Sequence, residues 1–277
     1  MKKFTLLLLP LLALTSCGKS YQTLDNEQAA ARISTIAAGQ EQELSEVDGF
    51  TTTIQMNGEE IDQEGKTNVK MTNTFAFSAS KEYYYSGVNY TISSNEAKQE
   101  LKQEQWLWLD GNSYFMAMNQ TTTVNGETSS QKLYIEIPKT PLYDFWAILD
   151  AEGVDVGFEN LTTTEYLGLA ASCVTSGEVE GITYTVKSAG EGSLWFEVKA
   201  TETYTEGGVT ETATEHLKFE YENYLLKTLS STQEEVEKDS TGKVLEKTST
   251  LTSINNKLSC AVKTPNLKGY TDANTLK

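Results

Sequence analysis

The most reactive side chains of this 277-residue chain are three thiols and one imidazole, namely Cys17, Cys173, Cys260 and His216. A thiolate is a nucleophile and a metal ligand, and an imidazole is the commonest general base. Cys17 differs from the others in its surroundings, because it lies between an apolar run that ends at Leu14 and a polar segment that begins at Gly18. We therefore ask what chemistry Cys17 carries and which elements position it.

The segment before Cys17 has the composition of an export signal. Lys2 and Lys3 give it a positive start, and residues 4–14 form an apolar run of about 11 residues. That length matches a signal-peptide core of roughly 7–15 residues and falls short of the ~20 residues that span a bilayer as a helix. The pattern predicts a signal peptide over residues 1–16 that is removed, followed by a short tether at 17–23.

The four residues Leu14-Thr15-Ser16-Cys17 resemble the bacterial lipobox at every position. This resemblance to bacterial lipoproteins implies that the Cys17 thiol carries a diacylglyceryl group and becomes the first residue of the mature chain. Two or more acyl chains hold a protein stably on a membrane, whereas one gives only marginal binding. The resemblance implies a location in the cell envelope, outside the cytoplasm. Gly18 replaces the aspartate that favours inner-membrane retention, so an outer membrane, where present, is an allowed destination.

The charge of the chain limits its partners. The formal net charge is −17, with 39 acidic residues, and loss of Lys2 and Lys3 with the signal makes it more negative. Nucleic-acid affinity comes largely from basic side chains that neutralise phosphates, and Arg32 is the only arginine. We expect no nucleic-acid partner and a membrane attachment through lipid, not through a basic patch. No protein partner is indicated.

Cys173 and Cys260 form an even pair in a chain predicted to be exported. Such a pair is compatible with one disulfide. Two buried free thiols are the alternative, because cysteine is among the most buried residue types. The sequence leaves both open.

Other catalytic and metal-binding signals are weak. His216 adjoins an alternating strand on the face shared with Lys218, which indicates a solvated position. The acidic stretch 60–65 imitates a calcium loop but has Met71 at the position of the bidentate glutamate, so we interpret it as a hairpin turn. We expect that the protein is not an enzyme and that it binds neither a metal nor a cofactor. A hydrolase that uses paired carboxylates is a third, less favoured hypothesis.

The remaining residues, 24–277, are predicted to form a single β-rich domain. A helix is expected in the segment that starts at Thr23, capped by Asp25 and ended by Gly39. Beyond it the hydrophobic period becomes two. Strands are predicted around residues 69–77, 194–200 and 217–221, and turns are expected at Asn57-Gly58, Asp110-Gly111, Asn125-Gly126, Gly207-Gly208 and Thr241-Gly242.

Two mid-chain segments are predicted to be helices, residues 141–152 and 161–172. In the first, Leu142, Phe145, Trp146 and Leu149 share one helical face. Residues 95–105 favour a turn leading into a strand. A sheet that is apolar on one face needs a cover, so we expect these helices and the N-terminal one to lie on that face.

This order of elements resembles the LolA/LppX-type lipoproteins. The resemblance implies an α+β fold, mostly antiparallel β, in which a curved half-barrel sheet holds lipid beneath helices that cover its concave face. It suggests that the chain binds or carries an apolar ligand such as a lipid. The alternative is a surface structural or interaction lipoprotein without a ligand cavity. The residues expected to line a cavity are Phe75, Phe77, Trp146, Leu194, Phe196, Val198, Leu217 and Phe219.

Overall fold

A computed structural model describes residues 20–63 and 65–276 of the chain. The predicted signal peptide and Cys17 lie outside the described residues. In the described part thirteen strands are present: β1 Gln22–Thr23, β2 Gly49–Ile61, β3 Lys66–Ser78, β4 Tyr83–Ser93, β5 Lys98–Asp110, β6 Ser113–Val124, β7 Glu127–Pro138, β8 Ile182–Ser188, β9 Leu194–Glu206, β10 Val209–Glu222, β11 Leu225–Lys238, β12 Val244–Lys257 and β13 Thr271–Asp272. The helices are α1 Asn26–Ser45, α2 Phe145–Ala151, α3 Glu159–Thr162, α4 Thr164–Ser176 and a 3-10 helix Ala273–Thr275.

The strands form one open sheet in the order β1-β8-β9-β10-β11-β12-β2-β3-β4-β5-β6-β7-β13. Neighbouring strands are antiparallel, except that β13 pairs with β7 in the parallel sense. The two-residue strands β1 and β13 form the two edges. The prediction of a mostly antiparallel sheet with a few helices is confirmed.

The sheet has an inner face, which the helices cover in part, and an outer face. The predicted alternation is confirmed, because Phe77, Phe196 and Phe219 are buried on the inner face while Trp195 and His216 point to the outer face. The register also defines two ends. The near end carries the turns between β3 and β4, β5 and β6, β8 and β9, and β10 and β11; the far end carries the other hairpin turns.

Helix α1 begins as predicted and ends later than predicted. The Gln28 N–H donates to Asp25 Oδ1 at 2.9 Å, and the Asp25 N–H donates to Gln28 Oε1 at 3.2 Å, which is a capping box. The predicted end at Gly39 is wrong, since the helix continues to Ser45. Gly39 lies against the Tyr224 ring, where a Cβ atom would overlap it. This glycine serves close packing and not helix termination.

The mid-chain helices have other bounds than predicted. Instead of one helix at 161–172, α3 and α4 are separated by Thr163, whose φ is 35°. The buried Tyr221 hydroxyl lies 3.0 Å from the carbonyl oxygens of both Thr162 and Thr163, and so partners backbone groups that the break leaves without helical partners. Helix α2 begins only after Asp144, which caps it through the Ala147 N–H.

Most turn predictions are confirmed, and one is wrong. Asp110-Gly111, Asn125-Gly126, Gly207-Gly208 and Thr241-Gly242 all lie between consecutive strands. Asn57-Gly58 instead lies inside β2, where Gly58 pairs with Val69. The Asp62 N–H donates to the Gly65 carbonyl between β2 and β3, as expected for a hairpin at the acidic stretch, and β5 follows the turn at 94–97 as predicted. Local turn propensity at Asn57-Gly58 is outweighed by pairing on both sides of β2.

The chain after β12 crosses the outer face as a strap, residues 258–272. The Tyr83 hydroxyl donates to the Lys263 carbonyl at 3.0 Å. Leu267 and Tyr270 pack against a cluster that contains Trp108 and Phe115. Outer-face aromatics of β4–β6 therefore belong to a small second core beneath the strap.

No disulfide joins Cys173 and Cys260, which are free thiols. Cys173 lies on α4 and packs against the inner-face cluster, whereas Cys260 lies in the strap on the outer face. The sheet separates them, and a disulfide requires Cα atoms within about 7 Å. The alternative of two partly buried thiols is the one observed, and burial raises the pKa of both.

Candidate ligand cavity

A cavity of about 270 Å³ lies between α2 and the inner face of β4–β7. Most of its wall is apolar. The sheet contributes Leu107, Met116, Met118, Leu133 and Ile135, and the other side is closed by Ile148, Leu149 and Val154. Apolar pockets with a few polar groups are the usual form of small-molecule sites.

The sequence builds this wall by strand alternation. In β5 the residues WLWL place Leu107 on the inner face and Trp108 on the outer face. In β6 and β7 the register pairs Met116 with Ile135 and Met118 with Leu133, so two inner-face rows meet beside α2. These residues are as apolar as the residues of the packed core. The cavity exists because the helix that covers them, α2, is short.

Helix α2 covers only part of these strands. Its seven residues span about 10 Å at 1.5 Å each, whereas the thirteen residues of β5 extend about 40 Å. Ile148 and Leu149 are buried against the sheet. α2 does not fill the strand surface next to these two residues, and the cavity lies there, with Ala273 of the 3-10 helix also in its lining.

Polar groups at the cavity are few. Among the described residues that line it, Glu152 is the only charged side chain. Burial raises the pKa of the Tyr84 hydroxyl, so this lining group stays neutral at physiological pH. The described residues of the lining include no positively charged side chain. The electrostatic field in the cavity therefore disfavours an anionic ligand group.

An aromatic cluster separates the cavity from the rest of the inner face. The rings of Phe50 and Phe77 lie 5.1 and 5.2 Å from that of Phe158. At the boundary the Asn256 amide donates to the carbonyl oxygens of Asn160 and Leu226, at 2.7 and 2.9 Å. These contacts fix α3 to the sheet.

The residues predicted to line a cavity are placed elsewhere, and none of them lines this one. Phe77 belongs to the aromatic cluster, and Trp146 packs against it with 53% of its surface exposed. Phe75 is half-buried. The other five are packed beneath α1 and α4: Leu194, Phe196, Val198, Leu217 and Phe219.

Sequence reasoning missed the lining residues on β5–β7. The signal was present, because the inner positions of WLWL, of Met116-Ala117-Met118 and of Leu133-Tyr134-Ile135 alternate like those of the packed strands. Periodicity identifies the apolar face of a strand. It does not state how much of that face a helix will cover.

His216 forms an ion-pair geometry on the outer face and not a catalytic site. Its Nε2 lies 2.6 Å from Glu197 Oε1. Burial tends to raise the pKa of Glu197, but the hydrogen bond with His216 and the nearby Lys218 outweigh it, and the pKa is lowered overall. Within the described residues no group of three or more His, Cys, Asp or Glu side chains is arranged to hold a metal.

A wider depression of about 1100 Å³ lies along β8, beside residues 178–186. Its lining includes Glu178, Glu180 and several threonines. Such a surface suits water better than an apolar ligand. The cavity beneath α2 is therefore the better candidate.

Comparison with known proteins gives low sequence identity and low structural similarity. No protein-family model and no curated protein matches the chain. A β-barrel-like protein of the domain family DUF1849 from Brucella abortus is 9% identical, with 76% of this chain and 98% of that chain covered and a TM-score of 0.24. The translocator domain of the autotransporter NalP from Neisseria meningitidis is 9% identical, with 80% and 96% covered and a TM-score of 0.18. No helix of the described residues has the length and apolarity to cross a membrane.

Proposed function

We propose that this chain is a lipid-anchored protein of the bacterial cell envelope that holds an apolar ligand between α2 and β4–β7, in an arrangement like that of the LolA/LppX-type half-barrels. Two independent features support the proposal. The lipobox at 14–17 supplies the anchor, and the cavity of about 270 Å³ supplies the binding site. The cavity is the single observation that supports a bound ligand.

The size and lining of the cavity narrow the ligand class. Its volume of about 270 Å³ is slightly below the roughly 300–1,000 Å³ of small-molecule pockets, which suits one alkyl chain or ring system better than a whole two-chain lipid. Glu152 is its only charged lining residue. A neutral molecule with one apolar chain fits this lining, and a fatty-acid carboxylate does not.

Anchoring is tested with the full chain in a bacterial host that is fed labelled palmitate. We expect label in the protein, and loss of both label and membrane association in Cys17→Ala. Cys260→Ala is the matched control, since it removes another thiol and should leave labelling unchanged. Label that persists in Cys17→Ala would refute the anchor.

Ligand binding is tested with a form that begins at Ser20. We expect it to co-purify with an apolar molecule detectable by mass spectrometry, and a neutral monoacylglycerol to raise its Tm more than the matching fatty acid does. Met118→Trp should abolish both effects because the indole occupies the cavity. Met71→Trp is the control, since Met71 is also half-buried on the inner face but lies outside the cavity.

One observation favours the alternative of a surface structural protein without ligand. The inner face beneath α1 and α4 is filled by side chains such as Phe196 and Phe219, so more of this face is core than cavity. If no apolar molecule co-purifies and Met118→Trp raises the stability of the protein, the cavity is only a packing defect. We propose no catalytic role.

A further inference from the structure

The chain from residue 142, after β7, to residue 146, in the first turn of α2, exposes three large apolar side chains within five residues. The exposed fractions are 82% for Leu142, 56% for Tyr143 and 53% for Trp146. Leu142 is the most exposed large hydrophobic residue of the described chain. Scattered single apolar residues are normal on a surface, but a contiguous group indicates an interaction site.

This segment is held in a defined shape. Thr140 and Tyr143 form an isolated β-bridge, and the Tyr143 N–H donates to the Thr140 carbonyl at 3.1 Å. Asp144 caps α2, and the Trp146 ring lies 5.5 Å from the rings of Phe77 and Phe145. The exposure of these side chains is therefore built into the fold and not a consequence of a loose loop.

The segment lies at the near end of the sheet, where the N-terminal tether also enters. β7 reaches the near end at Pro138, which pairs with Ser113 beside the β5–β6 turn. β1 starts at the same end, because Gln22 pairs with Ser188 beside the β8–β9 turn. The tether and the exposed apolar group thus lie at opposite edges of one end of the sheet.

The length of the tether brings this end close to the membrane. Tyr21 follows Cys17 by four positions, and it is fixed to the domain by a 2.7 Å hydrogen bond from its hydroxyl to Glu220. Four extended residues span at most about 14 Å. A lipid on Cys17 would therefore hold the near end, and not the far end, at the surface of the bilayer.

We infer that Leu142, Tyr143 and Trp146 insert into the headgroup region of the bilayer to which Cys17 is anchored, so that the domain contacts the membrane at two points. This inference rests on the proposed lipid anchor. Trp and Tyr are favoured at the membrane interface because an apolar ring and a polar group fit its two environments. The partner is a zwitterionic lipid surface, since Asp144 and the net negative charge disfavour anionic headgroups.

The contact also has a consequence for the ligand. Trp146 and the cavity residues Ile148 and Leu149 belong to the same two-turn helix. Insertion of the segment would place α2, the cover of the cavity, next to the lipid from which an apolar ligand comes. Entry at this position avoids exposure of the ligand to water.

The test uses the lipidated full chain in phosphatidylcholine vesicles. A polarity-sensitive fluorophore is attached at Leu142→Cys in a Cys173→Ser, Cys260→Ser background. Tyr204→Cys is the control, because Tyr204 is 61% exposed near the far end. We expect spin-labelled lipid to quench the probe at 142 by about half, as for side chains 5–10 Å deep, and to leave the probe at 204 unchanged.

Sedimentation of the vesicles separates the two proposals. Protein that sediments with vesicles while the probe at 142 stays unquenched would overturn the second contact and leave the lipid anchor intact. Protein that does not sediment would overturn both. Leu142→Glu gives an independent measurement. The Leu142→Glu protein should still sediment completely with the vesicles. A probe attached at Tyr143→Cys in this variant should be quenched no more than the probe at 204.

Discussion

The two halves of the inner face carry similar strands and have different interiors. The packed half, β8–β12, lies beneath α1 and α4 and contains Phe196 and Phe219 with rings 5.0 Å apart. The cavity half, β4–β7, lies beneath α2 and contains the cavity of about 270 Å³. α1 has 20 residues and α2 has seven. Both halves contain buried apolar clusters, and the comparison teaches that the length of the covering helix, and not strand hydrophobicity, decides which half is completely filled.

The largest expected effect is in the packed half. Phe196 is fully buried between Tyr184 and Phe219, so Phe196→Ala should lower the free energy of unfolding by about 3–5 kcal/mol. Tyr204→Ala on the same strand is the control and should change it by less than about 0.5 kcal/mol. Urea denaturation measures both. A loss below about 1 kcal/mol for Phe196→Ala would contradict a packed interior in this half.

A second prediction concerns the contact that lets α1 cover the packed half. Gly39→Ala should destabilise by about 1–3 kcal/mol, because the new Cβ meets the Tyr224 ring. Gly168→Ala in α4 is the matched control, since nothing lies within 4 Å of its Cβ position. That variant should stabilise by up to about 1 kcal/mol through helix propensity. Equal effects in thermal unfolding would disprove the close approach.

The cavity half should tolerate truncation better. Met116 is half-buried and lines the cavity, so Met116→Ala removes fewer contacts than Phe196→Ala does. We expect a loss of about 1 kcal/mol, below the usual range for fully buried methionine. A bound monoacylglycerol should stabilise this variant less than the parent protein. A loss as large as that of Phe196→Ala would show that both halves are equally packed.

The smallest expected effect is the change in stability with pH that depends on Glu82, at the near end of the cavity half. The Lys139 ammonium, 2.7 Å from Glu82 Oε2, lowers the pKa of Glu82 below its usual 4.5, with a further contribution from the Tyr114 hydroxyl. Since the folded pKa is the lower one, this stabilisation is present above pH 4.5 and is lost as the pH falls through the folded pKa. Lys139→Met should reduce the acid-dependent loss of stability.

Tyr114→Phe is the comparison for that measurement, because it removes the lesser contribution and keeps the ion pair. Its acid-dependent loss should lie between those of the parent and Lys139→Met. If the three proteins lose stability identically between pH 6 and pH 3, about the range in which carboxylates titrate, Glu82 makes no contribution. In the packed half the buried Tyr221 hydroxyl bonds instead to backbone carbonyls.

Much of the fold could be predicted from local sequence. The alternation in β3, β9 and β10, the Asp25 cap and four glycine turns depend on neighbouring residues and follow from backbone geometry and side-chain polarity. The lipobox depends on four adjacent residues, and its prediction remains to be tested by labelling. The apolar rows of β5–β7 could also be recognised in the sequence. Their role as the wall of a cavity could not.

What only the tertiary structure decided depends on residues far apart in the chain. Gly39 continues a helix because Tyr224 lies against it, and Asn57-Gly58 stays extended because β3 and β12 pair with β2 on both sides. Cys173 and Cys260 stay apart because the strap crosses the outer face. The cavity lies beneath α2 because its cover is short. Periodicity records which face of an element is apolar, and only the packed chain decides what that face meets.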